Sequence, residues 1–114
     1  MPTDPSPLAL VRGSLDVLVL KALSWTPMHG FEITCWLEEH SAQRLEVEDG
    51  ALYHSLNRLE GKGLIEAEWG ITENNRRARY YKLTPRGRKQ VAVEISKWRR
   101  LVEAVTRVID PLTP

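Results

Sequence analysis

Apolar positions recur along the chain with two different periods. Leu15, Leu18, Val19, Ala22 and Leu23 stand at offsets 0, 3, 4, 7 and 8, which is one apolar face of a helix. Thr26-Pro27 ends that helix, because the residue before a proline is pushed out of the α region. His29-Gly30 reads as a turn, and a second helix is expected over 31–40 with Phe31, Ile33, Trp36 and Leu37 as its buried set. A polar connection over 41–48 leads to a third helix, 49–62. Its stripe is Leu52, Leu56 and Leu59, with Asp49 placed to cap the first turn and Gly63 suited to a left-handed position beyond the end. The other face of this helix carries Tyr53, His54, Asn57 and Arg58.

The period then changes to two. Ile65, Ala67 and Trp69 alternate with Glu66 and Glu68, and 78–83 is aromatic and strand-prone, so a hairpin is expected with a loop over 70–77. The residues alone leave open which face of its second strand is buried, because Tyr80 and Tyr81 point opposite ways. Thr84-Pro85 starts a last helix with an N-cap and a proline at the first helical position. In that helix Val91, Ile95, Trp98, Val102, Val105 and Ile109 recur with the 4-3-4-3-4 spacing of a heptad seam, and Asp110-Pro111 ends it. Over 85–109 it would be about 37 Å long at ~1.5 Å per residue.

Length and composition narrow the choices. One domain is expected from 114 residues, and 42% apolar with 27% charged residues is too apolar for global disorder. The stretch 1–7 holds three prolines and reads as a flexible arm, without the basic region and apolar run of a secretory signal. No apolar run approaches the ~18 residues that span a bilayer, so a cytoplasmic protein with no membrane contact is expected. Cys35 is the single cysteine, which excludes an internal disulfide and a CxxC site, and a small buried residue is its expected role.

Charge changes the picture most. The net charge is only +1, yet residues 1–75 hold five Lys/Arg against twelve Asp/Glu, and residues 76–114 hold eleven against three. Arg76, Arg77, Arg79, Lys82, Arg86, Arg88 and Lys89 follow one another with no acidic residue between them. Such separation points to one face that meets a polyanion.

Three helices, a hairpin with a basic tip and a trailing helix are the parts of a winged helix-turn-helix. The fold class expected is mainly α with a small β-hairpin: an arm over 1–7, a DNA-binding domain over 8–84, a long C-terminal dimerisation helix over 85–110 and a tail over 111–114. In such folds the third helix enters the major groove and the hairpin touches backbone or minor groove. Asn57 can pair with adenine, Arg58 can fork onto guanine or phosphate, and Tyr53 and His54 can reach phosphates or base edges. Asn75, Arg76, Arg77 and Arg79 lie where the wing tip and its return strand would be, and arginines there gain by releasing condensed counterions. The long seam predicts a homodimer, with the first helix as the other surface it can cover; Leu101 and Val108 are candidates for that second contact. A two-fold dimer would present two reading helices to a double-stranded DNA operator of matching symmetry.

At this point the residues resemble the PadR family of transcriptional regulators, in its short form with one C-terminal helix. The resemblance rests on four blocks in order and register: LDVLVLKAL at 15–23, PMHGFEI at 27–33, GALY through LNRLE over 50–60, and ENNRRARYYKLT at 73–84. It implies a homodimeric winged-helix protein, most often a repressor, whose operator-reading helix falls on Gly50, Ala51, Tyr53, His54 and Asn57 and whose wing falls on Asn75, Arg76, Arg77 and Arg79. His54 departs from the pattern, since many relatives carry proline there, so no operator transfers from them. It also implies a place for a planar aromatic small molecule between C-terminal helices, at Trp98; the alternative is that Trp98 only fills the seam. Trp25, Trp36 and Trp69 are expected in core or hinge packing.

Other chemistry finds little support in the sequence. There is no nucleophile elbow, Gly-rich phosphate loop or HExxH pattern, so no enzyme and no cofactor are expected. His29, His40 and His54 stand eleven and fourteen residues apart, which is not metal-ligand spacing. The competing reading is a winged-helix protein–protein interaction module without DNA binding, which the acidic front half favours if its carboxylates line the docking face.

Overall fold

The computed structural model describes residues 8–9 and 13–110; the expected arm over 1–7 and tail over 111–114 lie outside the described residues. The elements run β1 Leu8–Ala9, α1 Ser14–Leu23, β2 Met28–His29, α2 Gly30–His40, β3 Leu45–Glu46, α3 Asp49–Gly61, β4 Ile65–Ile71, β5 Arg77–Leu83 and α4 Pro85–Ile109. β4 and β5 form an antiparallel hairpin from Ile65↔Leu83 out to Ile71↔Arg77, and β2 joins its other edge, giving the order β2-β5-β4. β1 and β3 form a separate two-residue parallel pair. This is a winged helix-turn-helix with a long C-terminal helix.

The periodicities explain most of the packing. Leu15, Val19, Leu20, Ala22 and Leu23 of α1, Ile33 and Leu37 of α2 and Leu52, Leu56 and Leu59 of α3 meet in one core. Ile65, Tyr81 and Leu83 close it from the sheet. That settles the sheet's inner face: Tyr81 is buried, whereas Tyr80 lies on the other side with its ring edge-on to His29. Leu18 and Trp36 are half-buried against the core, and Cys35 is half-buried rather than enclosed.

Several expectations fail for identifiable reasons. Phe31 is 73% exposed, because the first turn of α2 stands proud of the core and only Ile33 and Leu37 face inward. Trp25 and Trp69 are exposed as well, the first in the turn after α1 and the second far out on the hairpin. His29-Gly30 is not a turn. His29 ends β2 and then caps α2: its Nδ1 accepts from Glu32 N at 3.3 Å, while its own backbone N–H donates to the Glu32 carboxylate at 3.1 Å. At α3 the N-cap is Glu48, with no side-chain cap bond, and Asp49 is already the first helical residue. Gly63, at φ +74°, does occupy the left-handed position past α3.

α4 is docked at one end only. Thr84 Oγ1 accepts from Gly87 N at 3.0 Å and donates to Gly63 O at 2.7 Å, tying the helix start to the turn after α3. Val91 packs on the core, Ile95 is half-buried, and Trp98 Nε1 donates to Ser14 Oγ of α1 at 3.3 Å. From 99 to 109 every residue is exposed. Leu101 and Val108 therefore do not pack on α1, since the helix has already left the body of the fold.

Candidate nucleic-acid interface

α3 is held by its leucines, and the sector facing away from them carries Gly50, Tyr53, His54 and Asn57, all exposed. At ~100° per residue Tyr53 and Asn57 stand about 40° apart, nearly in line along the helix. Tyr53 and His54 meet edge to face, with ring centres 5.9 Å apart. Ala51 is exposed too, but lies about a third of a turn from Asn57.

The hairpin stands beside this face. Its tip, 72–76, is closed by Asn75 N donating to Thr72 O at 2.9 Å, Thr72 N donating to Arg76 O at 2.8 Å and Arg76 N donating to Thr72 Oγ1 at 3.2 Å. Asn75 has φ 59°, a left-handed conformation that Asn tolerates better than most residues, which gives its presence a conformational reason. Arg76 and Arg77 are exposed, and the Arg77 guanidinium lies 4.7 Å from the centre of the Trp69 ring. Such a cation–π contact orients the arginine while leaving its donors free. This is the role of Trp69 that sequence reasoning missed. The pairing register accounts for it: the strands run on to Ile71 and Arg77, beyond the loop expected over 70–77, and pair Trp69 with Arg79 and Ile71 with Arg77, so all four share one face of the hairpin.

Between hairpin and helices runs a groove of about 860 Å³ that brings Tyr53, Arg76, Arg77 and Arg79 together with Phe31 and Tyr80. Glu32, Asp49 and Glu73 line it as well. Glu32 is folded back onto His29 by the capping pair, and Asp49 sits in the first turn of α3, where a carboxylate suits the helix dipole.

Arg79 lies on the return strand β5, as expected, but Arg58 is not on the reading face where the sequence places it. Arg58 is turned away from Tyr53 and Asn57 toward α1, where Nη2 and Nε donate to the two oxygens of Asp16 at 2.8 and 3.2 Å. Ser55, fully buried, donates to the same carboxylate at 2.6 Å. Burial disfavours the Asp16 carboxylate, but the bonds from Arg58 and Ser55 and the charges of Arg58 and Lys62 outweigh it and hold its pKa below the ordinary value. The bond to Asp16 raises the pKa of Arg58 in return. Arg79 is tied by Nη2 to Glu60 of α3 at 2.9 Å and lies over the Tyr81 ring. Among the described residues no three His, Cys, Asp or Glu side chains converge as metal ligands, and no helix is long and apolar enough to cross a membrane.

Comparison with known proteins agrees with this architecture. Residues 19–93 match the transcriptional regulator PadR-like family. A transcriptional regulator of Mycobacterium tuberculosis is 30% identical over 98 residues, covering 86% of this chain and 84% of that one. Among solved structures, a transcriptional regulator from Clostridium thermocellum is 27% identical with a TM-score of 0.71, covering 90% of this chain and 93% of the other. A PadR-like transcription factor from Bacteroides fragilis is 30% identical with a TM-score of 0.67, covering 84% and 90%.

Proposed function

The chain belongs to the transcriptional regulator PadR-like family, and on that premise we propose that it is a homodimeric, sequence-specific DNA-binding repressor. The observation that carries this reading is the exposed line of Tyr53 and Asn57 on a leucine-anchored helix, beside a hairpin whose Arg76 and Arg77 are exposed. Side chains of these types can read base edges in the major groove while the hairpin binds phosphates or the minor groove. Arg58 leaves the reading set in the unbound protein, because Asp16 already holds it, while Arg79 stays with the wing in an ion pair with Glu60.

The second half of the proposal is the dimer. Val102, Val105 and Ile109 continue the spacing of Val91, Ile95 and Trp98 but have no cover within the described residues. Burying that stripe against a second copy removes it from water at roughly 25 cal/mol per Å² of apolar surface. Trp98, 41% exposed at the start of the free half, is where a planar aromatic effector would meet the dimer helix. Quenching of tryptophan emission by such compounds, lost in Trp98→Ala and coupled to operator release, would support this part.

Selection of bound duplexes from a random pool tests the reading directly. It predicts an enriched inverted repeat with half-site centres about 10 bp, or a multiple of that, apart. A pool that shows no enrichment contradicts it. The carboxylates of Asp49 and Glu73 in the groove favour one rival, a protein-interaction module, which predicts that same failure to enrich.

A further inference from the structure

The leucine stripe of α3 fixes how deep the helix sits, but apolar contact is non-directional and fixes its roll poorly. Roll matters to any helix that reads bases. A turn of ~20° about the axis carries a side-chain tip ~6 Å out sideways by about 2 Å, several times the ~0.5 Å window of a hydrogen bond. Some directional contact must set it.

Two such contacts flank the exposed sector. Measured from Tyr53 at ~100° per residue, Asn57 lies about 40° to one side; Arg58 and Ser55 follow further round on that side, at about 140° and 200°. Both of those bind Asp16 of α1: Ser55 at 2.6 Å, and Arg58 through a two-point fork at 2.8 and 3.2 Å. About 20° to the other side of Tyr53 lies Glu60, held by Arg79 of the hairpin at 2.9 Å. The free face of α3 is thus bracketed by one polar tether to α1 and one to the wing. The tethers differ in strength. The side chains of Arg79 and Glu60 are 42% and 32% exposed, so that pair is partly screened; Arg58 is 30% exposed, but its acceptor Asp16 is only 15% exposed and is shared with the fully buried Ser55. Asp16 is also the only acidic residue of α1.

We propose that Asp16 is a positioning residue for DNA recognition: by holding Ser55 and Arg58 it sets the roll of α3, and with it the direction in which Tyr53 and Asn57 point. This rests on the DNA-reading assignment made above. It gives Arg58 a task inside the protein in place of a base contact. It also makes the effect of Asp16 specific: with the tether loosened, wing phosphate contacts survive while the match to base edges is lost.

The test uses the full chain and compares wild type with Asp16→Asn, which sets an amide N–H₂ against the Arg58 donors, and with Arg58→Lys, which keeps charge but cannot make the fork. Affinity is measured for the duplex selected from the random pool and for a scrambled duplex, below the unfolding transition of each variant. The expected result is a fall of about tenfold in affinity for the selected duplex in both variants, the size of losing a bidentate base contact. Affinity for the scrambled duplex and its salt dependence should stay at the wild-type values. Should Asp16→Asn fail to fold, Arg58→Lys carries the comparison. Folded variants that keep the wild-type preference overturn the proposal, as does an equal loss on both duplexes, which would mark Asp16 as a support of the fold only. A wild type that prefers no duplex overturns instead the DNA-reading assignment on which the proposal stands.

Discussion

Replacing Gly87 with alanine should destabilise the protein although alanine is the better helix former. Gly87 is buried in the first turn of α4, and a Cβ there would lie 1.8 Å from the carbonyl oxygen of Leu64 and 2.8 Å from its carbonyl carbon. A carbon–oxygen contact needs about 3.3 Å, so the helix start must withdraw by roughly 1.5 Å. The same Leu64 oxygen accepts the Thr84 N–H at 3.1 Å, and withdrawal breaks that bond. Overpacking costs about 1–3 kcal/mol and the lost hydrogen bond about 1 kcal/mol, against a gain of about 1 kcal/mol from helix propensity. The net loss is about 1–3 kcal/mol. At roughly 4–8 °C per kcal/mol for a domain near this size, the melting temperature should fall by about 10 °C. Circular dichroism melts measure it, run at one fixed protein concentration so that the proposed dimer does not shift the comparison. Gly61→Ala is the control: it is the last residue of α3, a Cβ there meets nothing within 4 Å, and it should gain about 0.4–1 kcal/mol. Gly87→Ala melting at or above the wild-type temperature would refute the packing reasoning.

Other outcomes follow from the same contacts. Because the folded pKa of Asp16 is depressed, its ionised form stabilises the fold above the unfolded value near pH 4, and that contribution is lost as pH falls through the lower folded value; acid titration of Asp16→Asn should show a smaller loss of stability over that range than wild type. Val102→Asp puts a charge into the exposed seam and should shift sedimentation toward the monomer; an unchanged dimer would place the interface elsewhere. Asn57→Ala should reduce discrimination at particular base pairs by about 1–3 kcal/mol, whereas Arg77→Ala should weaken binding to all duplexes alike; the reverse pattern would exchange the roles of helix and wing.

Periodic features were legible in the sequence because they repeat. The leucines of α1 and α3 and the Thr84-Pro85 start mark elements that the structure has, and α4 ends at Ile109 as its seam implies. Features that depend on one tertiary neighbour were not. β2 and β3 are two residues long, too short for an alternation to show, and each exists only because a distant strand lies beside it. Phe31 and Trp25 read as packing residues because apolar residues usually pack, and Trp69 continues the Ile65–Ala67 alternation; that the hairpin carries it past the core, 62% exposed beside Arg77, depends on the length of the hairpin and its pairing register. Arg58 is the instructive case, because its side chain turns to Asp16. Helical geometry already puts it about 140° from Tyr53, so its separation from the reading face could have been inferred. Its partner Asp16 lies 42 residues earlier and could not.

The central claim is that the face formed by α3 and the hairpin binds duplex DNA, and the salt dependence of binding tests it most directly. Titration of a labelled selected duplex at several salt concentrations should give a log–log slope of about −0.9 for each phosphate neutralised, and Arg77→Ala should make that slope shallower by about one contact. An affinity that does not change with salt, or a slope that Arg77→Ala leaves untouched, would contradict the account.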